Sequence, residues 1–306
     1  VHTEITAMPS SPWRSIAVVV DPLQKTHPAL QKAAALAARC GARLTLLNTF
    51  VLPQPMADVA RISAREIIDA ALRDRRRKLE KLAAGLRRGK GRRGLRVQCV
   101  VEWDHPEHEA VVRHVLAARP DLLVAETSHH NRLVRWILSN TDWELIRSCP
   151  CPLWLVRGGA LPKKPSLLVA VDPGHVHARR SQLDSRLLGA AQALVQNFGG
   201  TISIIHADDP QDSRIDAVER LANRYGVSSA NRYVFPGQAA RVLPEAVWHV
   251  GADILLLGAV SRSRLEQPFI GTTAERVIDR LECDVFVVKP VGYRSPVSRR
   301  RPRLPI

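Results

Sequence analysis

The chain has 306 residues, 45% of them apolar, and a formal net charge of +16 from 45 Lys/Arg against 29 Asp/Glu. That length suits two ordinary domains better than one, and no stretch approaches the roughly 20 uninterrupted apolar residues that a bilayer span needs. The opening "VHTEITAMPSSPWRS" carries neither an apolar export core nor a small-residue cleavage site, so a cytoplasmic address is expected.

Apolar, β-branched runs alternate with helical patterns from end to end, the signature of βαβ units and a parallel sheet covered on both faces. The predicted strands of the first half are 15–21, 42–48, 96–103, 121–127 and 152–157. Those of the second are 166–172, 201–207, 231–235, 253–259 and 284–290. Helical stretches separate them, several ending at Gly or just before Pro. Thr141/Glu144 and Thr272/Glu275 have the spacing of reciprocal helix caps. On the long second helix Ile68, Leu72, Leu79, Leu82 and Leu86 form one apolar face, with Arg75, Arg76, Arg77 and Lys78 filling most of the rest.

The halves are an internal repeat. Residues 121–157 align without a gap on 253–289, an offset of 132 that matches Asp121 to Asp253, Ile146 to Ile278 and Cys151 to Cys283. The Gly/Pro/Lys stretch "GGALPKKP" at 158–165 reads as the boundary. The expected division is 1–160, 161–290 and a basic tail, 291–306.

In an open parallel α/β sheet, ligands bind beyond the carboxyl ends of the strands where strand order reverses. The first strand ends in Asp-Pro in both halves, at Asp21-Pro22 and Asp172-Pro173. The fourth strand of the second half ends at Gly258, and its loop runs through Ser261 to Gly271-Thr272 at a helix start. Glycine lets backbone N–H groups approach an anion, a helix N-terminus attracts negative charge, and a capping hydroxyl donates to phosphate. The alternative is a pair of tight-turn glycines and an ordinary cap.

The doubled five-strand layout, the Asp closing each first strand, the run "GAVSRSRLEQPFIGTTAE" and the run "CPCPLWLVR" resemble the universal stress proteins, in particular the tandem type of Gram-negative bacteria. The resemblance covers Ser15 to Pro290. It implies an α/β fold of two tandem open parallel five-stranded sheets flanked by helices. Each sheet would be Rossmann-like, of the adenine-nucleotide α-hydrolase type, with strand order 3-2-1-4-5. The halves would pair through their fifth strands as an internal dimer, with protein partners of unspecified kind and homo-oligomerisation left open.

The resemblance also implies a site for ATP or another adenine nucleotide. The family's loop of Gly, two residues, Gly, nine residues, Gly and then Ser/Thr falls on Gly258, Ser261, Gly271 and Thr272, and Asp172 takes the base or ribose side. Ser261 stands where the pattern has Gly, and its Cβ restricts the backbone and crowds the phosphate side. In the first half the matching positions are Glu126, His129, Ser139 and Asn140, and a carboxylate at the first would repel a triphosphate. His129, His130, Arg132 and Arg135 beside Trp136 and Trp143 suggest a hydrophobic anion there instead. The competing reading is tryptophans in the core and a solvated basic loop.

Other constellations carry less chemistry. "DHPEHE" at 104–109 places acids in the first turn of a helix, which the dipole explains without a metal. "GLRRGKGRRG" at 85–94 lacks the strand before and the hydroxyl after that a phosphate-binding loop needs. Cys149 and Cys151, in "CPC", match neither C-x-x-C redox spacing nor a zinc pattern, and read as packing residues. Segment 61–94 carries 13 basic residues against 4 acids, and 291–306 carries 5 Arg and no acid. Without aromatic interleaving these are expected to be solvated faces rather than a nucleic-acid surface. No nucleophile, base and orienter come together in the sequence, so a non-catalytic protein is expected.

Overall fold

The apolar runs become ten strands among the described residues because helices cover both faces of the sheet, which removes any need for alternation along the inner strands, while the two outermost are only half-buried. The computed structural model describes residues 12–51, 64–104, 106–127, 139–173, 182–208, 213–259 and 276–299. In the first half β1 (Ser15–Val19), β2 (Arg43–Phe50), β3 (Val97–Trp103), β4 (Leu122–Glu126) and β5 (Leu153–Val156) alternate with α1 (Pro28–Cys40), α2 (Ala64–Arg88), α3 (Glu107–Ala118) and α4 (Asn140–Ser148). In the second half β6 (Ser166–Ala170), β7 (Thr201–Asp208), β8 (Arg232–Pro236), β9 (Ile254–Gly258) and β10 (Asp284–Val288) alternate with α5 (Leu183–Phe198), α6 (Ile215–Arg224) and α7 (Ala239–Val250). A helical turn at 276–278 precedes β10.

The expected strand order appears in each half, but the two sheets are one. The order is β3-β2-β1-β4-β5-β10-β9-β6-β7-β8, parallel within each half and antiparallel only at β5–β10. Residues facing α1, α2, α5 and α6 form one core cluster; those facing α3, α4 and α7 form the other. At the amino ends of the strands the repeat is exact in role. Asp121 Oδ2 accepts from the N–H groups of Arg14 and Ser15 at 2.7 and 2.9 Å, and Asp253 Oδ2 accepts from Ser166 N–H at 2.8 Å. Each carboxylate thereby fixes the start of the neighbouring first strand.

The seam lies on a pseudo-twofold. Trp154 and Phe286, equivalent by the 132 offset, face each other in the β5–β10 ladder, their rings 6.5 Å apart and fully buried. Arg157, at the end of β5, reaches across to the carbonyls of Ile278 (2.6 Å) and Leu281. Its counterpart Lys289, at the end of β10, reaches back to the carbonyl of Arg147 in the last turn of α4 at 3.1 Å. Each half thus satisfies carbonyls that a helix end leaves open in the other.

Asp284 completes the seam. Its carboxylate accepts from Lys32 Nζ of α1 at 2.7 Å, from the Trp154 indole at 3.0 Å and from Arg157 N–H at 3.0 Å. Burial pushes its pKa up, and Lys32 opposes that rise. Removing one member of a buried pair strands the other's charge. Asp284→Ala is therefore expected to cost about 3–5 kcal/mol in urea unfolding, with part of the loss recovered in Lys32→Met/Asp284→Leu.

Candidate functional site

Strand order reverses between β1 and β4 and between β6 and β9, so each half opens a crevice at the carboxyl ends of those neighbours. In the second half Asp172 and Gly258 stand on the two sides of this point, and two consecutive residues of α5 engage them. Asp184 Oδ1 accepts from Asp172 N–H at 3.1 Å. Leu183 lies on Gly258 so closely that a Cβ there would sit 2.2 Å from its Cδ2 and 2.9 Å from its Cγ. Glycine at 258 thus has a packing reason independent of any phosphate. Ser261, Gly271, Thr272 and the Thr272/Glu275 pair lie outside the described residues.

Leu183 and Asp184 were invisible to sequence reasoning, because nothing in "SQLDSRLLG" marks residues that fold back over the strand ends. Burial pushes the Asp184 carboxyl up to about 6, with the Asp172 charge adding to the rise and the bond from Asp172 N–H opposing it. His206 sits behind: its Nδ1 is 2.9 Å from the Val171 carbonyl and therefore donates, which leaves Nε2 3.6 Å from Asp208 Oδ1. Asp208 in turn accepts from Arg214 N–H at 3.1 Å.

In the first half a cavity of about 410 Å³ opens between β1, β2 and β4. Asp21, Glu107, Glu126 and Asp142 contribute carboxyls to its wall, and Arg75 the one guanidinium among the described residues. Glu126 occupies the place equivalent to Gly258. Burial raises its pKa, while the Ala29 N–H in the first turn of α1 and the Lys32 charge hold it down. Arg75, expected on the solvent face of α2, instead points inward. Its guanidinium lies 4.5 Å over the Phe50 ring, donates to Asn48 Oδ1 at 3.3 Å and stands 3.8 Å from Asp21.

The hydrophobic anion expected in this cleft is not favoured, since among the described residues four carboxyls line it against one arginine. Of the residues that suggested it, His129, His130, Arg132, Arg135 and Trp136 lie outside the described residues, and Trp143 packs against the core. The cap of α4 is also not the expected one. Ser139 and Asp142 form the capping box, with Asp142 N–H donating to Ser139 Oγ at 3.1 Å and Ser139 N–H to Asp142 Oδ2 at 2.9 Å. Glu144 pairs with Arg147 at 3.0 Å. Thr141 is already the second residue of the helix, two positions past the N-cap, and so cannot cap it.

Part of the basic helix and loop is engaged within the fold. Arg77 and Lys78 clasp Asp74 at 2.7 and 2.6 Å. Arg87 donates to the Val97 carbonyl, Arg92 to Gln31 and Arg96 to the Gly41 carbonyl at 2.8–3.0 Å. The acids of "DHPEHE" are similarly committed, Asp104 and Glu109 both to Arg113. Residues 291–299 are not a free tail: Tyr293 donates to the Arg147 carbonyl and Val297 packs on the core. No helix among the described residues is long and apolar enough to cross a membrane.

A chain of two doubly wound halves, each with a crevice beyond its strand ends, defines a tandem Rossmann-like α/β protein. It belongs to the universal stress protein family, whose model matches residues 12–157 and 215–289. Universal stress protein E of Escherichia coli strain K12 is 26% identical over 310 residues, covering 94% of this chain and 97% of the relative. The protein of that name from Photorhabdus laumondii is 25% identical, covering 94% and 98%. The crystal structure of a functionally unknown protein from Pseudomonas aeruginosa PAO1 superposes with a TM-score of 0.73 at 27% identity, over 91% of this chain and 93% of that one. A universal stress protein from Archaeoglobus fulgidus, 16% identical, shares the fold with a TM-score of 0.68 over 90% and 96%. Membership of the family supports a role in stress response.

The carboxyl of Asp184 gives a pH test. Its folded pKa, about 6, lies above the ordinary 3.8, so the folded state holds a proton that the unfolded chain releases. This contribution is complete below pH 4 and lost as pH rises to 6. Asp184→Asn keeps an acceptor for Asp172 N–H without the charge. Thermal unfolding should show the variant gaining on the order of 2–3 kcal/mol over wild type at pH 7, with little difference at pH 4.

Proposed function

We propose that this protein is a non-catalytic stress-response protein of the cytoplasm that holds an adenine nucleotide in the crevice of its second half and signals through protein contacts. The two halves act as domains, 1–160 and 161–290, with 291–306 appended. The observation that carries the nucleotide reading is the position of Asp172 and Gly258 at the ends of the neighbouring strands β6 and β9, on either side of the strand-order reversal. There the loop through Ser261 to Gly271 and Thr272 leaves β9. Asp172 would take hydroxyls of the ribose, and the loop N–H groups and Thr272 the phosphates. In the first half, Glu126 in place of glycine sets a carboxyl where phosphate would lie, so one nucleotide per chain is expected. No metal is required for this binding. Pairing of two chains into a homo-oligomer is compatible with it.

Isothermal titration of the full chain with ATP, ADP and AMP tests the reading. One site per chain is expected, weakened roughly tenfold or more by Asp172→Ala or by Gly271→Val, since each lost polar contact or blocked approach is worth about 1.4 kcal/mol or more. Glu126→Ala should leave it unchanged. An absence of binding by all three nucleotides would reduce Gly258 to a packing glycine and refute the proposal.

A further inference from the structure

Cys149 and Cys151 were expected to pack and nothing more, yet their sulfurs are in contact, Sγ to Sγ 3.6 Å. Cys149 is fully buried at the end of α4, while Cys151 is half-buried. The second half has no such pair, since Leu281 replaces the first of the two at the equivalent place. Cys151 lines a cavity of about 510 Å³ walled by α3, by Pro150 and by residues 293–299. The described lining holds three arginines, Arg119, Arg294 and Arg299, and no acid. All three are exposed, and none makes an ion pair among the described residues. Behind the sulfurs stands Lys289, held by the Arg147 carbonyl and 4.4 Å from the Tyr293 ring.

We propose that Cys149 and Cys151 are a reactive dithiol, which a small anionic disulfide docked in the arginine-rimmed cavity converts to an intramolecular disulfide. Reactive thiols sit in electropositive, partly exposed surroundings, and this pair has a buried lysine on one side and three guanidiniums on the other. The hydrogen bond between the two holds the Cys149 thiol below its usual range, helped by the Lys289 charge, and together with burial it pushes the Cys151 thiol up. Cys283, the repeat counterpart of Cys151, is pushed up to about 12 by burial and has Leu281 where Cys151 has Cys149.

The exchange balances without a further reactant. Cys151 releases its proton, and its thiolate attacks one sulfur of the bound disulfide, expelling its other half as a thiolate. Cys149 then releases its proton and attacks Cys151, expelling the second thiolate. Two electrons pass from the protein sulfurs to the small disulfide, and the protons end on the two departing thiols. The protein sulfurs need close by only roughly 1.5 Å to reach bonding distance.

The test uses the reduced full-length chain with glutathione disulfide, neutral hydroxyethyl disulfide and cationic cystamine. Each rate is divided by that of the same reagent with a short cysteine peptide. Peptide mass mapping should place an internal disulfide between Cys149 and Cys151, formed roughly tenfold faster with the anionic reagent than with the cationic one at low salt. Arg294→Glu/Arg299→Glu, on exposed side chains, should erase that ranking without changing the circular dichroism spectrum. Cys149→Ser should stop at a mixed disulfide on Cys151. Absence of the internal disulfide, or a rate indifferent to reagent charge, would overturn the proposal.

Discussion

Everything in this molecule leans on the antiparallel pairing of β5 with β10. Without it each half would end in an unpaired edge strand with a buried tryptophan or phenylalanine at its centre, an arrangement prone to adventitious association. Pairing them removes both edges and turns two five-stranded sheets into one of ten. The polar groups at the seam are expensive to bury, and they survive there because each is satisfied from the other half. Arg157 and Lys289 serve helix ends across the pseudo-twofold, and Asp284 gathers Lys32, the Trp154 indole and the Arg157 N–H. The mutual capping makes the halves structurally dependent on one another although each has a complete doubly wound topology.

Duplication kept the frame and released the crevices. Asp121 and Asp253 hold the strand starts in the same way in both halves. At the carboxyl ends the copies part company: one carries Glu126, whose carboxyl binds the amino end of α1, and the other Gly258, which lets Leu183 close down on the strand. A side chain with charge and one with no volume cannot build the same cleft. The first half accordingly has a carboxyl-lined cavity, and in the second Leu183, at the start of α5, lies on the end of β9.

The high positive charge has a similar internal explanation. Much of it lies on α2 and its following loop, where arginines hold carbonyls, an aspartate and a glutamine of the same chain. Residues beyond β10 carry arginines along a segment anchored by Tyr293 and Val297. What the last segment does create is a basic wall beside the one pair of touching thiols.

The sequence by itself determined the ten strands, the helices between them and the repeat, because a parallel strand buried on both faces must be apolar throughout and an amphipathic helix must show its period. It also located Asp172 and Gly258, since strand ends in this topology are predictable. It could not place Leu183 and Asp184 over those ends, turn Arg75 inward, or choose Ser139 over Thr141 as the cap. Those outcomes depend on where a chain segment lands after the sheet has formed. Nor could the spacing of "CPC" say whether two sulfurs meet. Local periodicity encodes which face of an element is buried, whereas contacts between residues far apart in the chain exist only once packing has fixed the distances between elements.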